Sequence, residues 1–321
     1  MRALVTGGAG FIGSTLVDRL LAEGWGVDVI DDLSTGALAN LADARADRNN
    51  ELSFHQIDIR EPSTIDLIAR RKPDVVFHLA AQADVRVAVA RPAFDAEVNI
   101  IGTLHVLEGA RAGGARKIVF AASGGTLYGE PEPADLPAKE SLPQRPLSPY
   151  GVSKKAAMDY LVAYRALYDL EFSALALANV YGPRQDPHGE AGVVAIFATN
   201  LLAGRACTIY GDGSQTRDFV YVDDVADALT RAADRGGGLL INVGTGQETS
   251  VNELHRLMAE AAGHETPPIR APARPGELQR NAIDSTRASI QLGWKAWTAL
   301  PEGVGAVLRW SRDRQARSGG A

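Results

Sequence analysis

Thr6-Gly7-Gly8-Ala9-Gly10-Phe11-Ile12-Gly13 lies between a short apolar run, Ala3-Leu4-Val5, and a helical pattern over residues 12–22. Glycines 8, 10 and 13 fit the spacing G-x-G-x-x-G, and glycines 7, 10 and 13 fit G-x-x-G-x-x-G. Either spacing removes side chains where backbone N–H groups and a helix N-terminus must approach a pyrophosphate. Gly7, Gly10, Phe11, Ile12 and Gly13 are therefore the first candidate contacts to a dinucleotide. Tight turns also use glycine, so the motif draws its weight from standing between a strand and a helix.

The same alternation continues outward. Residues 27–30, 52–57, 75–79, 118–121 and 175–178 read as further buried strands, and residues 63–71, 94–112 and 149–167 as helices. Continuous apolar strands separated by helices predict a parallel sheet covered on both faces. That is a doubly wound Rossmann α/β fold, with ligands at the carboxyl ends of the strands. After Asn179 the pattern changes. A proline- and glycine-broken loop leads to a helical run ending at Leu202, and residues 208–210 read as a short strand. Residues 219–222 and 239–243 read as sheet elements that rejoin the first layer. Pro267, Pro268, Pro272 and Pro275 predict a loop that helix and sheet ladders both reject. The expected organisation is a dinucleotide-binding domain over 1–178 plus about 218–247, and a smaller, discontinuous substrate domain over 179–217 and 248–315.

Composition narrows the classes of partner. The net charge of −6 gives no general attraction to nucleic acid or anionic lipid. Cys207 is the sole cysteine, which excludes an internal disulfide and a Cys-rich zinc site. No basic segment followed by an apolar core opens the chain, and no apolar stretch reaches about 18 residues. A cytoplasmic, membrane-free protein is the expectation.

Asp31 closes the second strand, 18 residues after Gly13. A carboxylate there accepts from the adenosine ribose and repels a 2′-phosphate, which favours NAD over NADP. Asp58-Ile59 ends the third strand, where it is either at an adenine edge or a simple turn. Tyr150-Gly151-Val152-Ser153-Lys154 opens a long helix after Ser148-Pro149. Tyrosine and lysine four apart share a helical face, so an ammonium can sit near the phenol. A free tyrosine has a pKa of about 10, and a neighbouring cation favours the phenolate, a usable base. A lone Y-x-x-x-K is common by chance; following a dinucleotide fingerprint, it becomes a candidate catalytic pair.

TGGAGFIG, Asp31, HLAAQ at 78–82, Asn99, SGGTLYG at 123–129 and YGVSK at 150–154 together resemble the extended short-chain dehydrogenase/reductase family. NVYGPRQ at 179–185, DGSQTRDFVYVDDV at 212–225 and RPGEL at 274–278 resemble its bacterial UDP-hexose 4-epimerase branch. The resemblance implies a closed redox cycle in which Tyr150 removes the sugar 4-hydroxyl proton while the hydride passes to tightly held NAD. A 4-keto sugar then turns over in the pocket, and the hydride returns to its other face, which interconverts UDP-glucose and UDP-galactose. Lys154 would hold the nicotinamide ribose. The resemblance also assigns cofactor contacts to Asp32, Leu33, Ser34, Leu79, Ala80, Ala81, Gln82 and Asn99. It assigns the sugar diphosphate to Asn179, Val193, Arg217 and Arg274, whose guanidinium forks suit phosphate oxygens, and the nucleoside ribose to Glu277. A homodimer through residues 94–112 and 149–167 is a further implication.

Two departures matter. The family places a Ser or Thr four residues before Tyr128, and this chain has Gly124 there, flanked by Ser123 and Thr126. Either hydroxyl can serve the sugar oxygen, or both can be strand-end residues. Sugar 4,6-dehydratases of the family carry Asp-Glu where this chain has Gly125-Thr126, so elimination lacks its acid and base. Arg184 can approach a C6 substituent, which keeps UDP-glucuronate as a rival substrate. Asn281, seven residues after Arg274, occupies a gate beside the sugar C2 group, and its small size predicts tolerance of N-acetylated sugars. A keto-sugar reductase would need exchangeable NADPH, against Asp31, and a non-catalytic NAD sensor is the distant alternative. His78 reads as a satisfied buried histidine, the remaining histidines lack ligand spacing, Trp294, Trp297 and Trp310 read as packing residues, and Asp223-Asp224 as a helix N-terminus.

Overall fold

Apolar runs without alternation need cover on both faces, and the strands of this chain obtain it in one sheet. β1 (Arg2–Thr6), β2 (Gly26–Asp31), β3 (Leu52–Gln56), β4 (Val75–His78), β5 (Lys117–Ser123), β6 (Glu171–Leu177) and β11 (Leu239–Val243) pair in parallel, in the order β11-β6-β5-β4-β1-β2-β3. The structure is a computed structural model and describes residues 1–47, 49, 51–187, 192–263, 267–274 and 278–318. Strand order reverses beside β1, so Thr6, His78 and Ser123 end their strands on the same edge as Asp31. This is the doubly wound arrangement, and it places the glycine segment at the switch point.

Helices α1 (Phe11–Ala22), α2 (Ala42–Ala46), α3 (Ser63–Arg71), α4 (Val85–Ala90), α5 (Pro92–Ala96), α6 (Gly102–Gly113) and α7 (Pro149–Tyr168) cover the sheet. In α1, Leu16, Val17, Leu20 and Leu21 recur at helical spacing and are buried. α7 starts where Ser148 Oγ accepts from Gly151 N at 3.2 Å, with Pro149 in the first helical position. Its inner face buries Ala157, Met158 and Leu161, each of the larger two contributing roughly 1.5–3 kcal/mol.

Five expectations change. The single helix expected over 94–112 is α5, a π-helical turn at Glu97–Ile101 and α6, with α4 before it. Asp84 caps α4 by accepting from Arg86 N and Val87 N, and Pro92 forces the break into α5. β6 begins at Glu171, earlier than its apolar part, because buried Ser173 satisfies its hydroxyl on Arg235 O and Gly236 O. Residues 219–222 do not rejoin the sheet: β10 (Phe219–Tyr221) pairs with β7 (Asn179–Tyr181), whereas β11 does join. The proline loop contains β13 (Ile269–Ala271), parallel to β8 (Thr208–Tyr210), since the three residues between Pro268 and Pro272 keep their N–H donors. Trp294 is buried with its indole N–H on Asp224 O, but Trp297 is 53% exposed and packs no core.

Among the described residues there are two apolar cores. One lies around the sheet. The other joins Tyr181, Phe219 and Tyr221 to α8 (Val193–Leu202), α10 (Val251–Ala262) and α12 (Leu300–Ser318). α9 (Val222–Ala232) packs on α1, and α11 (Thr286–Leu292) packs on α9 and β11. Ile283, Ala288, Leu292 and Trp294, expected in the substrate domain, belong to the first core. β9 (Thr216–Arg217) pairs with β12 (Thr249–Ser250). Between the two bodies Asp218, fully buried, accepts from Thr245 N and Oγ1, Gly246 N and Ile283 N. Asp223 and Asp224 open α9 as expected. The Asp224 carboxylate, however, receives Trp297 N, Thr298 N and the Thr298 hydroxyl.

Candidate active site

The glycine segment turns tightly against the exit of β4. Gly7 adopts φ +71°, and a Cβ there would lie 2.8 Å from Ala80 N. A Cβ on Gly13 would overlap Gly7 O, and one on Gly10 would lie 3.2 Å from it. No side chain caps α1, whose N-cap is Gly10, and its first turn holds no acid. An uncapped helix start with that close backbone is what a pyrophosphate requires, so the residues present fit a dinucleotide. Asp31 stands beside them, its Oδ2 accepting from Ala9 N and its Oδ1 from Leu33 N, both at 2.9 Å. Burial raises its carboxyl above the ordinary range, with the N–H groups of Leu33 and Ala9 opposing. Asp32 binds the Ser34 N–H and hydroxyl, and Leu33 takes φ +62°.

Farther along the edge, Leu79 N donates to Thr6 O, and Ala80 N to the Thr6 hydroxyl. Ala81 and Gln82 follow, and the Asn99 amide ties this stretch down. Gln82 N donates to Asn99 Oδ1 at 2.9 Å, and Asn99 Nδ2 lies 2.9 Å from Gln82 O, 3.0 Å from Asp95 Oδ1 and 3.2 Å from Ser153 Oγ. Asp58 is held by Arg60 below the usual carboxylate range, and Ile59 packs against Gly102. His78 is the satisfied buried histidine expected. Thr103 donates its hydroxyl to Asn99 O, so His78 Nε2–H donates to Thr103 and Nδ1 accepts from Thr6. Burial pushes its pKa down to about 3, with Lys154 adding to the effect, so the ring is neutral.

Tyr150 and Lys154 stand one turn apart at the start of α7. Lys154 is 3% exposed, donates to Ala121 O at 3.0 Å and lies 4.7 Å from the Phe120 ring centroid. Burial pulls its pKa down to about 8, against the opposing field of Asp95. Ser153 Oγ donates to Tyr150 O at 2.9 Å, which braces the turn between them.

The missing hydroxyl at Gly124 has a steric cause. A Cβ there would lie 2.7 Å from Ile283 Cδ1 and 3.1 Å from Leu177 O, so a serine does not fit without moving Ile283. The neighbouring hydroxyls remain. Thr126 packs its Cβ against the first turn of α7 at Gly151, and Thr126 Oγ1 is buried with no hydrogen-bond partner among the described residues. Ser123 Oγ and Asn179 Oδ1 flank Gly125, 3.9 and 4.0 Å from where its Cβ would be. Asn281, 2% exposed, reaches Gly124 O with Nδ2 at 3.5 Å and leaves Oδ1 without a partner. Two orphaned buried oxygens around one glycine, each costing about 1–3 kcal/mol unless satisfied, mark a place where a polyhydroxylated ligand supplies donors.

Beyond this spot lie the arginines. Arg217, on β9, donates to Thr216 O and Leu278 O, and Arg274 stacks its guanidinium 3.8 Å from the Tyr210 ring centroid. Val193 opens α8. Arg184, at φ +71°, forms a 2.7 Å ion pair with Asp18, about two turns down α1 from its glycine end. Glu277 lies outside the described residues. Sequence reading missed Asp95, Ser153 and Asp218. Ser153 and Asp218 sit inside motifs read for other members, and Asp95 is a polar residue in the helical stretch 94–112 with no motif of its own.

A glycine-wrapped helix start, an aspartate at the end of β2 and a tyrosine–lysine pair beside β5 define a dinucleotide-dependent enzyme acting on a hydroxylated substrate. The chain belongs to the NAD dependent epimerase/dehydratase family, whose model matches residues 3–244. It is 53% identical over 315 residues to the UDP-glucose 4-epimerase of Mycolicibacterium smegmatis, covering 98% of this chain and 99% of that one. It is similar to the crystal structure of the Thermotoga maritima UDP-glucose 4-epimerase with UDP-glucose, at a TM-score of 0.93 and 42% identity, covering 98% and 100% of the two chains. The Thermus thermophilus UDP-glucose 4-epimerase in complex with NAD gives 0.89 and 42%, covering 97% and 99%.

Proposed function

We infer that this chain is an NAD-dependent UDP-hexose 4-epimerase that interconverts UDP-glucose and UDP-galactose. The observation that carries the reading is the convergence at one strand edge of the Tyr150–Lys154 turn, the Ser123 and Thr126 hydroxyls and the Asn179 amide. When bound, NAD would supply reversible hydride acceptance at the sugar carbon, and the substrate would pass through a 4-ketone. Tyr150 takes the 4-hydroxyl proton at its phenolic oxygen and later returns it. Lys154 holds positive charge one turn away and stabilises the phenolate. Ser123 or Thr126 orients the sugar oxygen, and Asn179, Arg217 and Arg274 take the diphosphate.

The first turn of α1 would hold the pyrophosphate, Asp31 and its neighbours the adenosine ribose, and the 79–82 stretch with Asn99 would hold the rest of the dinucleotide. The Arg184–Asp18 pair weakens the case for a C6 carboxylate, and Gly125-Thr126 offers no acid for elimination. The test incubates purified protein, without added cofactor, with UDP-glucose, UDP-glucuronate and UDP-N-acetylglucosamine, and reads products by NMR. UDP-galactose is expected from the first, no change in the second, and slower conversion of the third past Asn281. A protein retaining bound dinucleotide but inert toward UDP-glucose would sink the reading.

A homodimer goes with it. Val152, Ala156, Tyr160, Ala163 and Leu167 recur at helical spacing along α7, with Val152, Tyr160 and Leu167 exposed, and Ile101 is exposed in the π-helical turn of the 94–112 segment. Such a stripe matches a two-fold contact in which the same face meets itself. Sedimentation of the wild type is expected to give twice the chain mass, and Tyr160→Asp to shift it toward the single chain. A wild-type monomer at micromolar concentration rules the contact out.

A further inference from the structure

Lys154 is an ammonium closed off from water, and its described contacts are a carbonyl oxygen and a ring face. A buried cation without a counter-charge loses its proton rather than bear the desolvation. The facing groups are few. From β4 comes His78, neutral because both ring nitrogens are engaged by threonine hydroxyls. β5 offers Ala121 O and the Phe120 face. On the α4 side, Arg86 is turned to Asp84 and Arg91 to the Phe94 ring. On α6, Glu108 is engaged by Arg111 and Tyr164, farther down the helix. α5, which packs on α7, brings Asp95.

Asp95 is 1% exposed. Its Oδ1 accepts from Gln82 Nε2 and Asn99 Nδ2, each at 3.0 Å. The same Asn99 Nδ2 lies 3.2 Å from Ser153 Oγ, on the residue preceding Lys154, and Ser153 Oγ donates to Tyr150 O. One amide thus clamps a buried carboxylate to the helical turn that carries both catalytic groups. No basic side chain is paired with Asp95 among the described residues, and the Asn99 amide that holds its carboxylate also reaches Ser153, next in the chain to the buried Lys154.

We propose that Asp95 is a positioning residue for the reaction: fixed by Gln82 and Asn99 behind the Tyr150–Lys154 turn, its carboxylate is the counter-charge that keeps the Lys154 ammonium protonated. This rests on the epimerase reading, because it acts through Lys154 on Tyr150. The lowered Lys154 pKa, with Asp95 as the opposing influence, agrees in direction. The arrangement makes the working pH range of the enzyme depend on a residue that touches neither substrate nor reacting atom.

The experiment uses holoenzyme and the pH profile of kcat/KM for UDP-galactose. With Asp95→Asn, the alkaline limb is expected to move down by about one pH unit, so activity falls about tenfold at pH 9 and less than threefold at pH 6.5. Asp95→Glu restores the limb. A loss by one factor at every pH, or none, makes Asp95 a packing residue only. If the asparagine variant does not fold, the wild-type holoenzyme decides, with Lys154 read by its 13Cε resonance and assigned with Lys154→Arg. An ammonium at pH 7.5 upholds the proposal, and a neutral amine overturns it. A wild type inert toward UDP-galactose would instead refute the epimerase reading, and the resonance would still report on Asp95.

Discussion

Tyr150→Phe is expected to lower kcat by about 10²–10⁴-fold, the range general acid–base catalysis supplies, while leaving KM, bound dinucleotide and thermal stability near their wild-type values. The substitution removes one oxygen and keeps the ring. Among the contacts that build the turn are the Ser148 cap on Gly151 N and Ser153 Oγ on the Tyr150 carbonyl, both of which phenylalanine retains. The loss therefore falls on the transition state, where the 4-hydroxyl proton must leave, and not on binding. The measurement is UDP-galactose formation from UDP-glucose by NMR, with the near-ultraviolet absorbance of the bound dinucleotide as a check on loading. Undiminished turnover would mean that another group takes the proton, and the hydroxyls at Ser123 and Thr126 are then the nearest to consider.

What was legible in the sequence was whatever repeats a backbone requirement. Gly7 and Gly13 announce themselves because a side chain at either place collides with the β4 exit or with the loop itself. Tyr150 and Lys154 declare one helix face by their spacing alone. Strands β1 and β4 were readable because both their faces are buried, which leaves no polar alternation to confuse them. Strand β6 was only half readable, since Ser173 finds its acceptors in a loop more than sixty residues away.

Long-range partnership was illegible. Nothing at Gly124 says that Ile283 fills its place, and nothing at Arg184 says that Asp18 waits on α1. Trp297 looked like core because tryptophan usually is, and only the course of the chain after Trp294 leaves it exposed. Asp95 and Asp218 are the sharper cases. Each is an acid within an otherwise ordinary segment, and its meaning lies in donors from elements remote in sequence. A buried carboxylate is recognisable only once its surroundings are known.

The same logic gives the largest effect expected on stability. Asp28 sits in the middle of β2, fully buried, and receives Arg2 Nε at 2.8 Å, His55 Nε2 at 3.3 Å and the Arg71 guanidinium. Burial alone would push its carboxyl up, but hydrogen bonds from Arg71, Arg2 and His55 together outweigh it and hold the group below the usual range. Asp28→Ala leaves Arg2 and Arg71 without their anion. Removing one partner of a buried pair costs about 3–5 kcal/mol, and the lower end applies because both arginines are partly exposed and can rehydrate. A fall in Tm of roughly 5–10 °C at pH 7 is expected, with kcat at low temperature unchanged because Asp28 lies below the edge that carries the site. The sign with pH follows from a folded-state pKa below the unfolded one. The contribution is whole above the ordinary aspartate value and disappears as pH falls through the lower folded value. The Tm gap between wild type and variant should therefore begin to close as pH falls below about 4 and keep closing toward the lower folded value. A gap that keeps its size from pH 7 to pH 3 would assign the effect to lost packing in β2 and not to the charge.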